Sequence, residues 1–256
     1  KRINPEAYIL AEIWEEAQPW LQGKHFDAVM DYPFNRACLG FFGDDALNTK
    51  FKPGGFKLSR LNAKSFARQI DRILNLYDWE VIQVQFNLLS SHDEPRFLSL
   101  VGGDKQRLRL ATLFQMTFPG APSIYYGDEI GMEGEDDPDC RRAFPWDSRW
   151  WDQELLEDFR RYTILRHEHP ALRRGSYTTL FANGQTYAFA RQTAEETVVI
   201  VLNAGHKPEG VTLSLKGMIP DGASLVEEWT GERLSPEQGK ATLTAAPLSG
   251  SVWTIG

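Results

Sequence analysis

The order of its apolar runs predicts an α/β unit followed by an all-β one. From residue 8 to about residue 169, short β-type runs alternate with longer helical ones, the pattern of βα units on a parallel sheet. After Pro170 only short β-type runs remain, with turn residues between them. At 256 residues the chain has room for one large domain or a medium and a small one. The expected boundary falls at Arg174 and Gly175, giving an α/β unit over 1–174 and an antiparallel sandwich over 175–256.

Four runs read as buried strands: 8–13 (YILAEI), 28–34 (AVMDYPF), 83–89 (QVQFNLL) and 123–126 (SIYY). In 65–77, Phe66, Ile70, Ile73, Leu74 and Tyr77 recur at helical spacing, as do Leu108, Leu110, Leu113 and Phe114 in the next helical segment, which Pro119 and Gly120 close. A last helix is expected over 153–167, stopped before Pro170. Seven β-type runs follow: YTTLFA, TYAFARQ, TVVIVLN, VTLSL, SLVEEWT, ATLTA and SVWTI. Four βα units are half of an eight-stranded barrel, and an isolated half leaves two parallel edge strands open. Either the chain is the C-terminal part of a longer polypeptide, or it is an open sheet whose edges are covered another way.

Composition excludes several classes of function. With 42% hydrophobic and 25% charged residues the chain is neither disordered nor fibrous. Lys and Arg total 28 against 35 Asp and Glu, a net charge of -7 without a basic run, so nucleic acid is not an expected partner. The longest apolar run, TVVIVL, is too short to cross a bilayer, and no signal-peptide pattern opens the chain, so no membrane is expected and a cytoplasmic location is. Cys38 and Cys140 cannot form a disulfide framework. The five histidines lack ligand spacing, so no zinc site is expected, and GxGxxG, P-loop and GxSxG motifs are all missing.

Strand ends of a parallel sheet are where chemistry gathers, so the polar residues there are the candidates. Glu12, in LAEIW between Ala11 and Ile13, is expected to be half buried, either as a functional acid or as a structural carboxylate paired with an arginine. Asn87, His92 and Asp93 close the third run in NLLSSHDEPR, and an imidazole beside a carboxylate suits sugar hydroxyls. A turn around Asp93 and Pro95 explains them equally well. Tyr125, Tyr126, Asp128 and Glu129 close the fourth in IYYGDEIG, where Gly127 permits a sharp turn and the acids could equally cap a helix. The stretch 132–142 (MEGEDDPDCRR) reads as a substrate loop, a calcium loop without EF-hand spacing, or a solvated acidic loop. Of eight tryptophans, Trp14, Trp20, Trp146, Trp150 and Trp151 lie near these loops, placed either to stack on sugar rings or to pack in the core.

Taken together, AEIWEEAQPWLQGKHFDAVMDYPF, NLLSSHDEPRFL and GAPSIYYGDEIGMEGEDDPDCRRAFPWD resemble the α-amylase family, glycoside hydrolase family 13, and within it the neopullulanase, cyclomaltodextrinase and maltogenic amylase group. The resemblance implies the second half of a (β/α)8 TIM barrel, strands five to eight, followed by the C-terminal β-sandwich of these enzymes. It implies that Glu12 is the general acid/base and Asp93 the second carboxylate, holding sugar hydroxyls with His92. Asp137 and Arg141 match positions that bind glucose units further along, and Trp14 would line subsites on the leaving-group side. Substrates would be α-glucan oligosaccharides, cyclodextrin, pullulan or starch. No cofactor is implied; calcium in the parent enzyme is not indicated by these residues. A homodimer through an N-terminal domain is common in the subgroup, a contact this chain would lack.

Two departures bear on this expectation. Where the subgroup often has His after E-I-W, this chain has Glu15, which bears on acceptor-side preference. The family's nucleophilic Asp lies on the preceding strand, and residues 1–11 contain no Asp. A retaining glycosidase needs two carboxyl groups about 5 Å apart. The expected function is therefore that of a retaining α-glucan hydrolase cleaving α-1,4 bonds, with α-1,6 cleavage or transfer as further activities, and the chain alone is expected to be inactive. The alternatives are a non-catalytic amylase-like module and a glucosyl-transferring or isomerising relative.

Overall fold

The computed structural model describes residues 1–220 and 222–256. Strands β1 (Leu10–Ala11), β2 (Ala28–Val29), β3 (Phe86–Leu88) and β4 (Ala121–Ser123) form a parallel series in chain order. β1 pairs with β2 and β3 with β4, and a parallel bridge from Met30 to Phe86 joins the two pairs. β1, β2 and β3 are shorter than the apolar runs that contain them, while β4 starts earlier than expected and shares only Ser123 with the run 123–126.

The run 28–34 needs the largest correction. Its strand ends at Val29, and Asp31 turns the chain into helix α1 (Tyr32–Phe42). The Asp31 carboxylate accepts the Phe34 N–H at 2.9 Å and Pro33 occupies the first turn, so acceptor and fixed φ start a helix inside an apolar stretch. The other helices are α2 (Ala63–Leu74), α3 (Trp79–Ile82), α4 (Phe97–Leu100), α5 (Lys105–Thr117), α6 (Gln153–Glu168) and α7 (Pro170–Arg174). Asn62, Asp104 and Asp152 cap α2, α5 and α6 through backbone N–H groups of the first turn.

The C-terminal unit holds β5 (Ser176–Asn183), β6 (Thr186–Gln192), β7 (Thr197–Asn203), β8 (Glu209–Ser214), β9 (Leu225–Glu227), β10 (Arg233–Leu234), β11 (Lys240–Ala245) and β12 (Ser249–Ile255). Six of them form an antiparallel sheet ordered β10-β9-β12-β7-β6-β5, and β8 pairs with β11 as a second layer. β6 and β7 are buried along nearly their whole length because both faces are covered: one by the α5 side, the other by the β8–β11 pair. β8 faces the core on one side only, and its burial alternates. β10 was not among the expected strands. The chain reaches it through a turn in which the Glu227 carboxylate accepts the N–H groups of Trp229 and Thr230.

One core runs through both units. Phe114 of α5 lies 5.2 Å from Phe66, 5.7 Å from Phe34 and 5.6 Å edge-on from Phe189 of β6, ring centroid to centroid. Below it Arg191, fully buried, donates from Nε to the carbonyl of Ser176, from Nη1 to those of Thr117 and Leu172, and from Nη2 to that of Gly175. The guanidinium thereby ties the end of α5 and the α7–β5 junction to the sheet.

Candidate active site

The residues following β1, β2, β3 and β4 lie on one rim, and helix α1 supplies its centre. Tyr32, at the start of α1, is fully buried and stacks on Trp14 with ring centroids 3.9 Å apart and planes 6° apart. Its hydroxyl is held in protonated form well above the usual tyrosine range, by burial first and then by the charges of Glu94, Glu12 and Asp93. Three carboxyl groups from two strand ends thus bear on one phenol.

Glu12 itself is exposed, not half buried. Within this chain β1 pairs with β2, and Ala11 packs with Ala17, Leu21 and Val29. Trp14 is fixed on three sides: Tyr32 takes one face, its carbonyl accepts from Arg36 Nη2 at 3.1 Å, and Gly54 touches the six-membered ring. At Gly54 a Cβ would stand 2.5 Å from Trp14 Cε3, and φ is +53°, so only glycine fits.

The second cluster is held by ion pairs. Asp93 Oδ2 lies 3.2 Å from His92 Nε2, and Asp93 Oδ1 lies 3.4 Å from Arg141 Nη2. Arg141 also pairs with Asp137 at 2.9 Å and donates from Nε to the His92 carbonyl at 2.8 Å. The structure therefore brings Asp93, His92, Asp137 and Arg141 into direct contact, and relates Glu12 and Trp14 to them through Tyr32. The acidic loop 132–142 is tied to the end of β3: Gly134 accepts from the Arg96 N–H at 2.9 Å and donates to Ser99 Oγ at 2.9 Å. Behind it the Cys140 thiol donates to the His92 carbonyl.

Beneath these groups lie residues that the motifs did not single out. Glu94, next to Asp93, is 2% exposed, and burial raises its pKa to about 7, Asp93 adding to the rise and Arg36 opposing it. Arg36 reaches across the same space with its guanidinium over the Phe56 ring, 4.2 Å from the centroid. Arg96 is completely buried, lies over Tyr125 and Tyr126 at 4.4 and 5.0 Å, and donates to Asp128 at 2.9 Å. Burial raises the Asp128 pKa to about 6 against the pull of Ser90 and Arg96. Asp128 is thus an arginine partner and caps no helix; Glu129 accepts the Gly127 N–H at 2.7 Å. Asn87 is likewise structural, donating to the Pro119 carbonyl at 2.7 Å. Helix-start chemistry at Asp31 and Pro33 was a signal for Tyr32. Glu94 carried none, since only tertiary packing buries it. Among the described residues no group of three His, Cys, Asp or Glu side chains is arranged to hold a metal ion.

Chemically, the rim offers an exposed carboxyl, a second carboxyl beside an imidazole and a guanidinium, and aromatic walls. That is the equipment of a carbohydrate site, and a half barrel capped by a sandwich that carries such a rim is of the glycoside hydrolase class. Residues 1–175 match the family profile described as "Alpha amylase, catalytic domain", and residues 177–254 match "Neopullulanase-like, C-terminal domain". The chain belongs to the α-amylase family. A cyclomaltodextrinase of Geobacillus thermopakistaniensis (strain MAS1) is 38% identical over 257 residues, covering 100% of this chain and 41% of the relative. Neopullulanase 2 of Thermoactinomyces vulgaris is 37% identical over 254 residues, 98% of this chain and 41% of its own length. Among solved structures, Ttha1563 from Thermus thermophilus superposes with a TM-score of 0.93 at 40% identity, over 99% of this chain and 53% of that one. The chain thus spans about two fifths of the length of these curated relatives and about half of the solved one. The resemblance to the neopullulanase and cyclomaltodextrinase group holds, and β1 to β4 are the second half of the amylase barrel.

Proposed function

We propose that this chain is the C-terminal part of a retaining α-glucan hydrolase that cleaves α-1,4 bonds in cyclodextrin, pullulan or starch. The observation that carries the reading is the ion-paired cluster after β3, where His92 and Arg141 hold Asp93 and Arg141 also holds Asp137, together with Trp14 stacked on Tyr32 just after Glu12. Its relatives' names, cyclomaltodextrinase and neopullulanase, support the substrate class.

In this reading Glu12 protonates the leaving glycosidic oxygen. Asp93 accepts hydrogen bonds from sugar hydroxyls, and Arg141 and His92 fix its orientation. The attack on the anomeric carbon needs a further carboxylate about 5 Å from Glu12. The only acid before Glu12 is Glu6, an exposed residue outside the strands. That carboxylate comes from outside this chain, in the part of the barrel that precedes β1.

Hydrolysis assays on cyclodextrin, pullulan and starch test both halves of the proposal. The 256-residue chain should show no turnover, and clear turnover would overturn the missing-nucleophile reading. In the enzyme with a complete barrel, Glu12→Gln should lower kcat by orders of magnitude with little change in KM, because proton donation matters in the transition state. A small loss of kcat would remove Glu12 from the acid's role.

A further inference from the structure

A well-formed cleft lies away from Glu12 and Asp93. It encloses about 620 Å³ between the segment 56–61, helix α2, the start of α1 and the residues that follow Trp14, with Glu15, Arg36, Phe56, Ser59, Gln69 and Arg72 on its walls. Its volume lies within the range of about 300–1,000 Å³ common to small-molecule sites. Neither Glu12, His92, Asp93, Asp137 nor Arg141 lines it.

Three features define what it can bind. An aromatic ring, Phe56, is only partly buried and is held in place by the Arg36 guanidinium stacked above it. Polar groups suited to hydroxyls, the Ser59 hydroxyl and the Gln69 amide, also line the cleft, and Arg36 Nη1 is a buried donor without a partner among the described residues. Charge is close to balanced: Glu15 and Glu16 face Arg36, Lys57 and Arg72, with Arg72 paired to Glu16, and Arg36 is further offset by Glu94 and Asp31. An anion would meet carboxylates, and an apolar ligand would desolvate five charged groups. A neutral polyol with an apolar ring face matches ring, amide and guanidinium together.

The cleft also adjoins the rim. Arg36 binds the Trp14 carbonyl, Glu15 follows Trp14 directly, and the 53–55 turn that carries Gly54 against the Trp14 ring leads straight into Phe56. Arg36 is the shared residue: it lines the cleft with its guanidinium over Phe56 and holds the carbonyl of Trp14, whose ring stacks on Tyr32. We propose that this cleft is a second carbohydrate site that receives the side branch of an α-1,6-branched glucan whose main chain lies on the Glu12 rim. The proposal rests on the α-glucan reading above and adds a place for the branch.

The test uses the 256-residue chain itself, with maltotriose, the branched-type trisaccharide panose and inorganic phosphate as probes, followed by calorimetry and by amide resonances in ¹⁵N-labelled protein. Panose should shift amides of 56–61 and 69–72, whereas maltotriose should act chiefly near Glu12 and Asp93. Phe56→Ala and the exposed change Gln69→Ala should each weaken panose binding by about fivefold or more and leave maltotriose unchanged, while Phe56→Tyr keeps panose affinity. Panose and maltotriose shifts both confined to the Glu12 rim would overturn the branch site and leave the α-glucan reading intact. Panose binding nowhere on the chain would overturn the branch site, whereas the α-glucan reading stands or falls on hydrolysis by the enzyme with a complete barrel. Phosphate binding in the cleft more tightly than panose would show an anion site and refute the sugar assignment.

Discussion

Replacing Glu94 by Gln isolates the charge that the fold hides beneath its candidate site. Glu94 is 2% exposed, and burial moves its pKa from an ordinary 4.5 to about 7. The sign follows from linkage: between these values the folded chain holds a proton that the unfolded chain has released, so stability is fully present below about pH 4.5 and is lost as pH rises through 7. At about 1.4 kcal/mol per pH unit, that interval corresponds to about 3 kcal/mol. Glutamine is nearly isosteric and stays neutral, so Glu94→Gln should match wild type within about 1 kcal/mol at pH 5 and exceed it by up to about 3 kcal/mol at pH 8. Urea unfolding of both proteins at the two pH values measures the difference. Asp31 and Asp128, whose pKa values burial raises to about 6, slope the same way but remain in both proteins and cancel. A variant less stable than wild type at pH 8 would refute the reasoning, because it would mean that an ionised Glu94 stabilises the fold through Arg36.

Two further outcomes follow from single contacts. Arg191→Met removes four donated hydrogen bonds and strands buried carbonyls of Thr117, Leu172, Gly175 and Ser176. The loss should reach at least about 3 kcal/mol in urea unfolding, and a loss below about 1 kcal/mol would show that the junction does not depend on it. Gly54→Ala places a methyl group against the Trp14 ring at a φ of +53°. It should lower stability by about 1–2 kcal/mol and shift the Trp14 indole N–H resonance, and an unmoved resonance would show that the 53–55 turn does not fix the ring.

Where local pattern and burial coincide, the fold was legible. TYAFARQ and TVVIVLN read as strands because both of their faces are covered, which favours runs of apolar residues, Arg191 being the buried exception that its four hydrogen bonds allow. Phe66, Ile70 and Ile73 read as a helix face and are buried in α2. Tyr32 to Phe34 were misplaced because apolar content outweighed the helix-start chemistry of Asp31 and Pro33. β10 is two residues, Arg233 and Leu234, too few for any period to show. In the candidate site the S-H-D and D-P-D-C-R segments were visible, and Asp93, His92, Asp137 and Arg141 do meet. Glu12 was expected to be half buried because Ala11 and Ile13 flank it, and in this chain it is exposed. Glu94 and Phe56 gain their positions from contacts far along the chain, with Arg36 above all, which no local window contains.

The carboxylates of the site fall into two rows, and electrostatics gives each a different task. Asp31, Glu94 and Asp128 are buried, and their pKa values rise because desolvation exceeds what the nearby arginines return. Those arginines are not spent on charge alone. Arg36 lies on Phe56 and holds the Trp14 carbonyl, and Arg96 lies on Tyr125 and Tyr126. Each buried cation therefore positions an aromatic wall while a buried acid beside it moderates the field. Glu12, Asp93 and Asp137 stand in front, reachable by solvent, with hydrogen-bonding capacity left for a ligand. A carboxyl group in front can exchange water for a ligand hydroxyl, whereas a charge behind the wall would have to be desolvated anew if the wall moved. The rear row thus makes displacement of Trp14, Tyr125 and Tyr126 costly, and that rigidity fixes the walls beside the front row.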